Sequence, residues 1–265
     1  MPDKKALPVV EIFDSVQGEG PFIHPAVFLR TALCNLSCKG FNCSLPAPDG
    51  SVVYGCDTIR AVSVKFKDSW DYFSDSDSLI KALTAHKRVY LLTAHRKQDL
   101  VVTGGEPLLH FNNPVLTETV KHFINDSHRV IIETNASVDK PYIYENEILK
   151  LIKDCTFSMS VKLASSGESF DKRVKRELID YLYENSKDSY LKFVVSKDNF
   201  ESDIKEISKI LSSLKNDIPV YLMPLGKDRE ELQSNCTFVL EKCIEYGFNY
   251  TDRIHIRAFN TKECV

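Results

Sequence analysis

The chain has 265 residues, 43% of them hydrophobic and 27% charged, with a formal net charge of -3. That length supports a full hydrophobic core, and the slightly acidic balance lacks the basic stripe of a nucleic-acid surface. No run approaches the roughly 18 apolar residues of a membrane helix, and residues 1–5 lead into a strand-like run rather than a signal-peptide core; the expectation is a soluble, cytoplasmic protein with no nucleic-acid or membrane partner.

In chain order, residues 9–13 and 26–30 read as short strands on either side of a glycine-rich turn. Residues 35–58 carry Gly, Pro, Asn and Ser without periodicity, which predicts a long functional loop. A helix is predicted over about 77–87. Beyond residue 99, strand-like runs at 100–103, 130–134, 156–161, 191–196, 220–223 and 254–259 are mostly separated by helical patterns. Asn113-Pro114 supplies an N-cap and a first-turn proline, after which Leu116, Val120, Phe123 and Ile124 share a face. Ile204, Ile207, Leu211 and Leu214 form a second stripe. Leu232, Cys236, Val239, Cys243 and Tyr246 form a third, closed by Gly247 in the position of a C-cap. Such alternation predicts an α/β fold, an incomplete (β/α) barrel with helices outside and ligands at the C-terminal ends of its strands. With no repeat or linker, residues 1–265 are expected to form one domain.

Eight cysteines need explaining. Cys155, Cys236, Cys243 and Cys264 are scattered, and Cys236 and Cys243, seven apart on a helical pattern, read as small buried residues. Cys34, Cys38, Cys43 and Cys56 fall in one segment, and clustered cysteines in a reducing compartment more often bind metal than pair. Three thiolates can hold three irons of a cubane and leave the fourth iron to an external ligand. The same group could bind zinc, so a zinc-stabilised binding module is a rival reading. Four further groups end strands: Thr103-Gly104-Gly105-Glu106-Pro107, Glu133-Thr134-Asn135, Ser160 with Lys162, and Met223-Pro224. All fall on the rim where a barrel places its site. The glycine pair allows close approach of a ligand to the backbone, and Glu106 can accept hydrogen bonds from an ammonium group.

The C-x3-C loop after one strand, with Gly-Gly-Glu-Pro after the next, resembles the radical S-adenosylmethionine superfamily. Several segments narrow the resemblance to the 7-carboxy-7-deazaguanine synthase family. They are Glu11-Ile12-Phe13-Asp14-Ser15-Val16-Gln17-Gly18-Glu19-Gly20, Val27-Phe28-Leu29-Arg30, Cys34-Asn35-Leu36 with Cys38, and Cys56-Asp57-Thr58. Ser160-Val161-Lys162 is similar to that family's Ser-Pro-Lys, with valine for proline, and Arg253-Ile254-His255-Ile256-Arg257 to its C-terminal histidine strand. The long cluster loop looks most like the ε-proteobacterial branch.

That family converts 6-carboxy-5,6,7,8-tetrahydropterin into 7-carboxy-7-deazaguanine with loss of ammonia, on the way to queuosine. The resemblance implies a [4Fe–4S] cluster on Cys34, Cys38 and Cys56, S-adenosylmethionine as the radical source, and Mg²⁺ on Thr58. It implies methionine-end contacts for Gly104, Gly105 and Glu106, carboxylate and ribose contacts for Thr134, Asn135, Ser160 and Lys162, and adenine contacts for Met223 and Pro224. Gln17, Gly18, Glu19, Arg30 and His255 would face the substrate. It also implies a homodimer and an external electron donor such as flavodoxin. Other readings stay open: Gln17 and Glu19 as an exposed turn, and His255 as a structural histidine. A different radical enzyme, such as a glycyl-radical activase, would share the cluster motif, yet has no reason to carry Gln17-Gly18-Glu19-Gly20 beside Arg30. Cys43 lies closer to the compact spacing than Cys56. Asp57-Thr58 follows Cys56, however, which makes 39–55 an inserted hairpin: Lys39-Gly40-Phe41 outgoing, residues 46–50 turning, 52–54 returning. Cys43 then packs within it.

Overall fold

The computed structural model describes residues 6–39, 43–86 and 97–262. Cys264, the end of the helix expected over 77–87, and Gly40-Phe41 of the hairpin lie outside the described residues.

The chain runs β1 (Leu7–Gln17), β2 (His24–Thr31), β3 (Cys43–Pro46), β4 (Val52–Gly55), α1 (Ile59–Val62), β5 (Asp71–Phe73), α2 (Ser76–Ala85), β6 (Asp99–Gly104) and α3 (Pro114–Asn125). It continues through β7 (Val130–Thr134), α4 (Asn146–Ile152), β8 (Cys155–Met159), α5 (Phe170–Arg173), α6 (Arg176–Asn185) and β9 (Tyr190–Val195). Then come α7 (Phe200–Leu211), β10 (Val220–Pro224), α8 (Arg229–Tyr246), β11 (Asn249–Tyr250) and α9 (Ile254–Phe259). One sheet has the order β11-β10-β9-β8-β7-β6-β2-β1-β5. From β2 to β11 the neighbours are parallel, whereas β1 turns back antiparallel on β2 and β5. The expected mixed α/β architecture with a parallel sheet is therefore present.

The two faces of this sheet differ in chemistry. Side chains alternate along a strand. Val27, Leu29, Leu100, Val102, Val130 and Ile132 join the main core, together with Leu116, Val120 and Phe123 of α3 and Ile207 and Ile210 of α7. On the other face a small apolar layer of Ala26, Phe28, Val101 and Ile131 is capped by Phe13, stacked on Phe28 at 5.0 Å. Two residues further along the same strands stand Arg30, Thr103 and Glu133. The inner face thus begins apolar and becomes polar toward the strand ends.

Local signals act as read. Asn113 Oδ1 accepts from the Val115 N–H at 2.9 Å, and Gly247 takes the left-handed conformation (φ 74°) that ends α8. Within the α8 stripe Leu232, Val239 and Cys243 are buried, while Tyr246 is exposed and Cys236 is half-buried beside the Tyr250 hydroxyl. β3 and β4 pair antiparallel as a hairpin, and Cys43, Leu45 and Val53 pack on Ala47, Ile59 and Phe66. One expectation fails: 254–259 is the helix α9, not a strand. Its alternation of Ile254, Ile256 and Ala258 is too short to separate the two periods, and β11 already occupies that edge of the sheet. Instead α9 docks on the end of β1, where Gly18 lets Ile254 approach. Among the described residues no helix is long and apolar enough to cross a membrane.

Candidate active site

The cluster loop leaves β2 through Leu33, a non-glycine residue at φ 72°. The backbone here runs beneath Gly104 and Gly105. Gly105 N–H donates to the Thr31 carbonyl at 3.0 Å, and Glu106 N–H donates to the Leu33 carbonyl at 2.8 Å. A Cβ on Gly105 would lie 1.9 Å from the Leu33 oxygen. The glycine pair therefore admits the very backbone that delivers Cys34, a closer approach than any the sequence suggested.

Cys34 is held by donors. Leu36 N–H points at its sulfur (3.4 Å), as does the Asn135 side-chain amide (3.7 Å). Asn135 also donates to Asn35 Oδ1 at 2.9 Å, and Asn35 donates to Ser137 Oγ at 2.8 Å. Burial, with the Glu106 charge nearby, pushes the Cys34 thiol up to about 12. Burial likewise raises Cys38. Lys39 N–H and Ser37 N–H tie the following loop to Ser166 O and to the Glu168 carboxylate. Cys56 Sγ lies 3.1 Å from Thr58 Oγ1. Cys43 pairs in register with Gly55 at the hairpin base, one residue from Cys56. Among the described residues no trio of His, Cys, Asp or Glu is gathered tightly enough for a single metal ion, a convergence that a cubane spread over three thiolates does not require. Half-buried thiols with N–H donors aimed at the first of them fit such a cluster.

Beside this loop, the ends of β6, β7 and β8 are stitched together. Glu106 is fully buried: Thr134 Oγ1 donates to its Oε1 at 2.6 Å, Leu108 N–H to the same oxygen at 3.0 Å, and Asn135 N–H to Oε2 at 2.7 Å. Burial still raises its carboxyl above the ordinary range despite these bonds. Ser160 N–H donates to the Thr134 carbonyl at 2.7 Å, and Lys162 Nζ donates to Ser160 Oγ at 3.2 Å. The structure thus gathers Gly104, Gly105, Glu106, Thr134, Asn135, Ser160 and Lys162 in one place. Met223 and Pro224 end β10, beyond the intervening strand β9.

The opposite wall is ionic. Gln17 and Glu19 are not an exposed turn: Gln17 is buried, and its side-chain amide donates to Glu133 Oε1 at 2.9 Å. Thr103 donates to the other Glu133 oxygen at 2.8 Å. Lys192 Nζ donates to Glu19 Oε2 at 2.8 Å, and Arg253 Nε donates to Glu19 Oε1 at 3.1 Å. Burial alone would raise the Glu19 carboxyl, but the Lys192 and Arg253 charges hold it well below the usual range. His255 Nε2 is 3.9 Å from Glu19, and burial pushes this imidazole down, leaving it neutral at pH 7. Gly20 is required here because a Cβ would fall 2.1 Å from the Tyr190 hydroxyl. Arg30 faces the same side, its Nε on Glu11 Oε1 at 2.5 Å and its guanidinium over the Phe13 ring at 5.5 Å. The sequence reading placed Glu133 on the strand-end rim but left Lys192 and Arg253 without a role. A lone lysine inside the apolar strand Tyr190-Leu191-Lys192-Phe193 was the available signal.

A family model described as a 4Fe-4S single cluster domain matches residues 16–176, a span that includes Cys34, Cys38 and Cys56. The chain belongs to this 4Fe-4S single-cluster family. Among curated relatives, 7-carboxy-7-deazaguanine synthase of Halobacterium salinarum is 28% identical over 97% of this chain and 92% of its own length. The Pyrobaculum aerophilum protein of the same name is 28% identical, over 95% of this chain and 94% of its own length. Among solved structures, Streptococcus suis SuiB bound to precursor peptide SuiA shares the fold, with a TM-score of 0.50 at 14% identity. The match covers 85% of this chain and 48% of the SuiB chain, so this 4Fe-4S protein spans about half of that structure.

Proposed function

We propose that this chain is a radical enzyme with 7-carboxy-7-deazaguanine synthase activity, contracting the ring of 6-carboxy-5,6,7,8-tetrahydropterin with loss of ammonia, in a pathway toward queuosine. The observation that carries the reading is the position of Gln17-Gly18-Glu19-Gly20. This most family-specific segment is tied to the strand ends: Gln17 donates to Glu133, which is followed in β7 and its loop by the Thr134 and Asn135 that hold Glu106. Relatives of that name matching over nearly the whole chain support it.

Cys34, Cys38 and Cys56 would hold the cluster, and the strand ends around Glu106, Asn135, Ser160 and Lys162 would hold S-adenosylmethionine, with Met223 and Pro224 toward its adenine. When bound, these groups supply the radical that removes the pterin C6 hydrogen. Arg30, whose Nε is engaged by Glu11, keeps its two terminal nitrogens for the substrate carboxylate, a fork suited to two oxygens at once. Thr58 offers its hydroxyl to Mg²⁺ beside that carboxylate, in keeping with the oxygen preference of this ion. Gln17 presents an amide donor and Glu133 carboxylate acceptors to the pterin ring, and neutral His255 can take a proton at Nε2. A homodimer, an external one-electron donor and a cytoplasmic setting complete the reading.

The test is an anaerobic assay of reconstituted protein with the pterin, Mg²⁺ and a strong reductant. The deazaguanine should form with catalytic consumption of S-adenosylmethionine. An intact cluster that cleaves the cofactor without yielding product would overturn the substrate assignment.

A further inference from the structure

Arg253 lies between β11 and α9 and is 8% exposed. Its guanidinium serves three loops at once. Nε donates to Glu19 Oε1 at 3.1 Å, Nη1 to the Gly226 carbonyl at 2.8 Å, and Nη2 to Asp57 Oδ2 at 2.8 Å. Glu19 follows β1, Gly226 follows β10, and Asp57 sits between Cys56 and Thr58 in the cluster loop. Neither β1 nor β10 is a sheet neighbour of the other, so strand pairing does not fix these loops relative to one another.

We propose that Arg253 is a positioning residue that locks the substrate-facing segment Gln17–Gly20 to the cluster loop, and so sets the distance between the pterin and the radical source. The inference rests on the proposed function above. Without a shared cation, the Glu19 and Asp57 carboxylates would repel one another; with it they are drawn to one point. Lys192 grips the second oxygen of Glu19, so that carboxylate cannot swing away to follow a displaced partner. A planar guanidinium reaches three acceptors in three directions, which a single ammonium on a flexible stem cannot reproduce. The guanidinium is nearly buried and Glu19 largely so, which leaves that contact poorly screened, while the more exposed Asp57 is held by the direction of the third arm. His255, two residues along the same segment, is placed beside Glu19 by the same anchor.

The test uses reconstituted holoenzyme carrying Arg253→Lys, Arg253→Gln or Asp57→Asn. Iron content and S-adenosylmethionine binding should match the wild type. Product formed per cofactor cleaved should fall about tenfold or more in Arg253→Gln, since a displacement of about 1 Å can cost a hundredfold in rate. Arg253→Lys should be intermediate, and Asp57→Asn, which cuts one arm only, should also uncouple. Hydrogen exchange should rise together in residues 17–20 and 56–58. Unchanged coupling in Asp57→Asn, or extra exchange confined to residues 253–259, would overturn the proposal. A wild type that makes no deazaguanine would instead sink the proposed function, and the exchange pattern would still decide whether Arg253 is the lock.

Discussion

At the ends of β6, β7 and β8, polar side chains are tied by bonds between near neighbours in the sheet, and Thr134, Asn135 and Leu108 surround one carboxylate with neutral donors. Around Glu19 the links are long-range and ionic. Glu19 meets Lys192 and Arg253, which lie 173 and 234 residues away in sequence. The first wall is rigid because three adjacent strands and a glycine-paired crossing leave it little freedom. The second is assembled only when β1, β9 and the C-terminal segment come together. It is consequently the wall whose parts can be loosened one at a time.

The largest effect belongs to the cluster loop. Cys56→Ala should abolish cluster assembly, while Cys43→Ala, which alters the hairpin packing on Ala47, Ile59 and Phe66, should leave iron content normal after anaerobic reconstitution. The reverse pattern would move the metal site into the hairpin. On the ionic wall, Lys192→Met leaves Arg253 as the remaining hydrogen-bonded cation of Glu19. With one cation of two removed, the loss should stay below the roughly 3–5 kcal/mol of a fully broken buried pair, and denaturant unfolding of the cluster-free chain would register it. A loss below about 1 kcal/mol would mean that the lysine is solvated and unimportant.

How far each wall was legible follows from the range of its contacts. The strand 130–134 has the bounds read from its β-branched run, and Asn113 caps α3 as its spacing requires. Cys34, Cys38 and the Gly-Gly-Glu-Pro turn were readable because their chemistry is written in consecutive residues. Lys192 was not: an isolated lysine in a strand gains meaning only once Glu19 is known to face it. Arg253 was overshadowed by His255, and the helix α9 by a three-residue alternation that fits either period. The short edge strands β5 and β11, of three and two residues, carry too little pattern to read.

Two smaller effects sharpen the contrast. Gly20→Ala pushes a methyl into the Tyr190 hydroxyl, overpacking that should cost about 1–3 kcal/mol. Tyr190→Phe should restore part of that stability, and no recovery in the double variant would show that the ring carbon, 2.9 Å from such a Cβ, sets the clash instead of the hydroxyl. The smallest effect is in pH dependence, where the two buried carboxylates should act oppositely. Glu106 is raised above its ordinary 4.5, so the folded chain holds a proton that the unfolded chain has released. Stability therefore falls as pH rises from 4.5 through the raised value. Glu19 is lowered, so its contribution is complete above 4.5 and is lost as pH falls below it. Glu106→Gln should flatten the first slope and Glu19→Gln the second, in unfolding curves of the cluster-free chain. Equal effects of both variants on the same limb would contradict the assignment.

The separation of the two walls is tested most directly by Arg30→Lys, assayed for cofactor cleavage and pterin turnover in one preparation. Lysine keeps the charge but not the paired bonds to a carboxylate. Losing such a charge-assisted contact is worth roughly 1.5–3 kcal/mol, so the KM for the pterin should rise about ten- to a hundredfold. S-adenosylmethionine cleavage, governed by the other wall, should stay at the wild-type rate. An unchanged pterin KM, or a loss of both reactions together, would contradict the account.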